Sequence, residues 1–202
     1  MMGTGDVRAV VLVSSATQSK AKPPSEASAV IPPALLSRRA LIAAAAALAL
    51  PARARTALPA PEGPVVLTVS GAVAAPNAAA GAVFDDAMLG ALPQVAFETK
   101  TLWTPRQHFS GPALRTVLDA CGAGPGRVEA MALNDYRAPI DRALIEPASP
   151  IIARRIDRQP FGVRELGPLW IMFPFDQRPE LRLEAIYVQC VWQLHALRIG
   201  HA

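Results

Sequence analysis

Asn134-Asp135-Tyr136 follows directly on a short apolar run and places an amide, a carboxylate and a phenol in consecutive positions. Together these groups can donate to and accept from the polar edge of a small molecule. They can equally form a turn at a strand end, since Asn and Asp are turn residues. Three tryptophans accompany them. Trp170 lies in Gly-Pro-Leu-Trp-Ile-Met-Phe-Pro (residues 167–174), Trp192 in Val-Trp-Gln-Leu (191–194), and Trp103 closes a run of alternating residues. An indole is costly to bury unless its N–H finds a partner and its ring a face. Tryptophans placed this way build a core or line an aromatic pocket, and the residues alone leave both readings open.

Arg154-Arg155 follows the apolar start Ile151-Ile152-Ala153. Strand alternation sends one of the two inward, where it could pair with Asp135 or meet a polar ligand tail. The other reading is a surface arginine in an arginine-rich chain. His108, His195 and His201 have no spacing that would clip a metal from one element. There is no Gly-x-Ser-x-Gly, phosphate loop or paired-cysteine motif, so neither a catalytic residue nor a metal ligand is assigned and a hydrolase is not indicated.

The elements that must position these residues are short. Val65 to Val73 reads as a strand, and Asp85 or Asp86 can N-cap a short helix carrying Met88, Leu89 and Leu92. Gln94 to Leu102 alternates as a strand, and Pro105 to Ser110 reads as a turn. Gly111-Pro112 is expected to open the best helix, reaching about Cys121 with Leu114, Val117, Leu118 and Cys121 on its inner face. Strands follow over 127–133, 150–157, 168–173 and 188–199, with a helical turn at 180–185. About six strands and three short helices that do not alternate predict an α+β, mainly β domain over residues 63–199. Cys121 is expected to face the core as a small hydrophobe, and two cysteines do not by themselves define a disulfide with Cys190.

From about Val65 to Ile199, and most specifically in Gly-Pro-Leu-Trp and Val-Trp-Gln-Leu, the chain resembles small exported bacterial proteins of the sulfite-oxidase-type molybdopterin-binding fold. Enzymes of that family hold molybdenum through molybdopterin and one cysteine, which precedes the helix that here follows Gly111. The matching residues, Glu98 to Thr104, contain no cysteine, and a threonine hydroxyl is a poor substitute for a soft thiolate. The resemblance therefore implies binding of a pterin, reduced or molybdopterin-like, without molybdenum. The alternative is a molybdopterin-dependent oxidoreductase or a subunit of one. A pterin is a flat bicycle with a donor and acceptor edge, and its recognition takes an aromatic face with an acid or amide aimed at that edge. Trp103, Trp170 and Trp192 are the candidate faces, Asn134, Asp135 and Tyr136 the candidate edge, and the family pattern favours Arg155 as the inward arginine. Proteins of this kind pass the pterin state to a membrane cyclic-di-GMP synthase or phosphodiesterase, which is the partner the resemblance implies.

The net charge of +4 and pI near 9.6 do not signal nucleic acid. Residues 37–54 join Arg38-Arg39, an eleven-residue apolar run and Pro51-Ala52-Arg53-Ala54, the pattern of a cleaved export signal of twin-arginine type. The run is too short to span a bilayer, which takes about 20 residues. Removal after Ala54 takes six of 20 Lys/Arg and two of 16 Asp/Glu, leaving 14 of each. A neutral chain lacks the basic excess that a phosphate backbone demands. Residues 1–36, rich in Ser, Ala, Pro and Lys, read as a disordered extension, and the expected location is the periplasm.

Overall fold

The computed structural model describes residues 57–201. The expected extension (1–36) and export signal (37–54) lie outside them. In chain order the elements are β1 (Val65–Gly71), β2 (Ala82–Asp85), α1 (Asp86–Ala91), β3 (Gln94–Thr99), β4 (Gln107–Pro112) and α2 (Leu114–Ala120). Then come β5 (Val128–Ala132), β6 (Arg137–Ile140), β7 (Ile151–Ala153), β8 (Arg155–Ile156), β9 (Trp170–Met172), α3 (Glu184–Tyr187) and β10 (Leu194–Ile199). The arrangement is α+β and mainly β, as the element pattern predicts.

A five-stranded sheet runs in the order β2-β1-β10-β5-β6, with β1 and β10 parallel and the other pairs antiparallel. Its strands alternate in burial: Leu67 and Val69 of β1 and Val128, Ala130 and Ala132 of β5 face the core. That is the period of two expected of a sheet packed on one side. The short pair β7 and β9 is buried at every residue. A three-stranded sheet, β3-β4-β8, completes the set. Helix α2 buries Leu114, Val117 and Leu118, and Cys121 follows at its C-cap, so the expected inner face is the observed one. Cys121 and Cys190 are buried thiols, and no disulfide joins them.

Several expected elements differ. Of the turn expected at 105–110, residues 107–110 instead form most of β4. Gly111 shows why a strand fits here: a Cβ there would lie 1.9 Å from the Ile152 carbonyl oxygen, so the close passage of β4 over β7 requires glycine. Pro112 ends β4 opposite Gln94 instead of opening the helix, and the amide of Leu114 donates to Pro150 O at 2.8 Å. Strand β3 stops at Thr99, and β10 begins only at Leu194. Strands β2 and β6 have no counterpart in the sequence reading. β6 contains Pro139 and stands at the sheet edge, where the missing N–H costs no ladder bond.

Asp85 is the N-cap of α1. Its carboxylate accepts from Met88 N at 2.7 Å, Gly63 N at 2.8 Å and Glu62 N at 2.9 Å. The Met88 and Gly63 amides hold its pKa below the usual carboxylate value. Among the described residues no helix is long and apolar enough to cross a membrane.

Candidate functional site

Three connections meet at one end of the fold: the β3–β4 loop, the β5–β6 turn and the segment from α3 to β10. In the first, Thr101 is buried, and its Oγ1 accepts from Trp103 N and Thr104 N, each at 3.0 Å. It also lies 3.0 Å from Thr104 Oγ1. This hydroxyl-centred turn fixes the backbone that carries Trp103. Both feet of the loop are tied to Asp176. Thr99 Oγ1 accepts from Asp176 N at 3.2 Å, and Arg106 Nη2 stands 2.9 Å from Asp176 Oδ2. The second is an ionic contact, because that oxygen has no hydrogen-bond partner.

Trp103 is 38% exposed and sits against three aromatic rings. Its centroid is 5.0 Å from that of Trp192, 5.9 Å from Tyr187 and 6.0 Å from Trp170. Trp192 meets it nearly edge-on, at 72°, a geometry that the quadrupoles of aromatic rings favour. Tyr187 is in turn stacked on Phe175 at 4.6 Å. Trp170 is fully buried, and its Nε1 donates to Cys190 O at 3.2 Å. It therefore supports Trp103 and Trp192 from behind and offers no open face of its own.

The β5–β6 turn brings the polar trio. Asp135 has φ 63° at the corner, and Asn134 Oδ1 accepts from Tyr136 N at 3.2 Å. The Tyr136 hydroxyl donates to Val188 O at 2.9 Å, clipping this turn to the α3 segment. Between the three connections lies a cleft of about 560 Å³. Trp103, Asn134, Tyr136 and Trp192 line it, so the fold brings together four of the seven expected residues. Asp135 and Trp170 are not among its lining residues: one is exposed on the turn, the other buried beneath the rings.

Arg155 is elsewhere. With Arg154 it grips Asp86 at the start of α1. Arg155 Nη2 lies 2.7 Å and Arg154 Nε 2.9 Å from the carboxylate oxygens. Both arginines, not one, are half-buried, because each finds the same acid. The hydrogen bonds from Arg155 and then Arg154 outweigh partial desolvation and pull the Asp86 pKa down to about 2.

The sequence reading missed Glu184, Tyr187 and Cys190, which also line the cleft. Only Glu184-Ala185 carried a signal, as the end of an expected helical turn. Burial pushes the Cys190 thiol pKa up, so it is protonated at neutral pH. Among the described residues no group of three or more His, Cys, Asp or Glu is placed to hold a metal ion.

No family model matches this chain, and no curated protein does. Among solved structures it is similar to the sulfane dehydrogenase SoxCD from Paracoccus pantotrophus, with 14% identity and a TM-score of 0.49. The likeness covers 66% of this chain and 37% of that one, so this chain spans well under half the length of the structure it matches.

Proposed function

We propose that the cleft binds a pterin, as part of an exported sensor or accessory protein and without bound molybdenum. The observation that carries this reading is the aromatic wall. Trp103, Trp192 and Tyr187 crowd one cleft whose rim holds an amide and a carboxylate, Asn134 and Glu184. A flat heterocycle gains roughly 0.5–1.5 kcal/mol from ring contact beyond area burial. Each buried donor left unpaired costs about 1–3 kcal/mol, so the rim sets selectivity.

The donor set does not fit a molybdenum ion held by thiolate. Thr99 is fully buried with its hydroxyl on the Asp176 amide, and Thr101 is spent on its own turn. Cys190 borders the cleft, but its thiol would have to lose a proton against its burial. These features favour a pterin-binding protein over the rival reading, a molybdopterin-dependent oxidoreductase or a subunit of one. Export through a twin-arginine signal to the periplasm is supported by the leader pattern of residues 37–54, and a membrane cyclic-di-GMP enzyme as partner by the sequence resemblance.

Extraction of the purified exported protein is expected to release pterin fluorescence, or the emptied protein to take up added tetrahydropterin. Dark extracts together with no uptake overturn the proposal. Stoichiometric molybdenum in the same preparation would favour the oxidoreductase.

A further inference from the structure

The cleft contains one acidic side chain, and it is not the one in the Asn-Asp-Tyr trio. Glu184 opens α3 at the cleft rim, and no hydrogen bond or ion pair engages its carboxylate among the described residues. Asn134 uses only its Oδ1 within the protein, which leaves its Nδ2 donors unspent. The indole N–H groups of Trp103 and Trp192 likewise have no partner among the described residues, whereas that of Trp170 is bonded to Cys190 O. The rest of the wall is largely apolar: Leu102, Val188 and Val191 stand between these groups. Asp85 is engaged by amides and Asp86 by two guanidiniums. Glu98, Glu129 and Asp135 share the lack of a partner among the described residues, and Glu184 differs from them in bordering the cleft.

We infer that Glu184 is the specificity-determining residue of the cleft, and that it selects heterocycles presenting an amino group beside a ring N–H. Two parallel N–H donors meet the two oxygens of a carboxylate in the same fork geometry that an arginine uses. In a 2-amino-4-oxo ring the carbonyl follows next along the edge, and the unspent Asn134 amide is the donor to receive it. A ring with oxygen in place of the 2-amino group would turn an acceptor toward the Glu184 anion. The charge-assisted pair is then lost, and repulsion between two acceptors takes its place.

This inference rests on the pterin reading, and calorimetric titration of the emptied full-length exported protein separates the two. The probes are 6-methylpterin and 6-methyllumazine, which differ in the 2-amino group. The native protein is expected to bind the pterin at least tenfold more tightly. In Glu184→Gln the pterin should weaken about tenfold or more, while the lumazine holds or improves, so the preference collapses. Asp135→Asn, outside the cleft, is expected to keep the native preference. Equal binding of both probes by the native protein, or a preference that survives Glu184→Gln, overturns the inference and leaves the pterin reading standing. Binding of neither probe overturns the inference, and with dark extracts and no uptake of tetrahydropterin it overturns the pterin reading as well.

Discussion

Two acidic sites separate structural polarity from polarity kept for a ligand. At the β8–α1 contact, Asp86 receives two guanidiniums, and Arg154 reaches the Asp86 carbonyl as well. At the cleft, the Glu184 carboxylate and two indole N–H groups have no protein partner among the described residues, beside a largely apolar wall. The sequence reading counts Arg155 among the candidate ligand residues. The geometry removes it, because both arginines already hold their anion. A charged cluster that is closed on itself contributes to stability, whereas an open one beside an apolar wall is available for recognition.

Substitutions can break or sharpen this contrast. The largest effect is expected at Trp170. Trp170→Ala empties a fully buried site beneath the cleft and should cost about 3–5 kcal/mol in urea unfolding. Trp103→Ala should do the opposite. Its half-open ring contributes less to the fold, so stability should change little, while pterin affinity falls about tenfold or more by calorimetry. If the two variants behave alike, the distinction between supporting and contacting rings is lost.

Thr101→Val should be milder. It removes the acceptor for two amides in the Trp103 turn, costing about 1–2 kcal/mol in thermal or urea unfolding and weakening the ligand severalfold. The smallest effect belongs to Asp86, whose carboxylate is 47% exposed and therefore partly screened. Its folded pKa, about 2, lies below the ordinary 3.8. The unfolded chain therefore takes up the proton first as the pH falls. The contribution of the clamp is complete above about pH 4 and is lost between there and about pH 2. Asp86→Asn should flatten that part of the stability profile while leaving pterin affinity at neutral pH unchanged. A ligand effect as large as that of Trp103→Ala would move the arginine clamp into the binding site.

Much of the scaffold was legible from local chemistry. The 3.6-residue spacing of Leu114, Val117, Leu118 and Cys121 marked the inner face of α2, a β-rich run marked β1, and alternation marked β3. The misses share a cause. Around β4, Pro105 argued for a turn and Pro112 for a helix start, and β6 was assigned no element; yet Pro112 closes a strand and Pro139 stands in an edge strand, positions decided by neighbours distant in sequence. Of the cleft, Trp103, Asn134, Tyr136 and Trp192 could be named beforehand, but Tyr187 and the acid could not. Asp135 sits beside Asn134 in sequence and turns out at an exposed corner, while Glu184 arrives from fifty residues later. Nothing in the local pattern around Glu184 distinguishes it from any solvent-facing glutamate.

The chain's three tryptophans all belong to one cluster, with centroid separations of 5.0, 6.0 and 6.3 Å. At such spacings their electronic transitions couple, so the near-ultraviolet circular dichroism of the whole protein originates largely at the cleft. An occupant sliding in beside Trp103 would alter that spectrum directly. The protein thus carries its own optical gauge of occupancy, with no label attached and no indole elsewhere to dilute the signal.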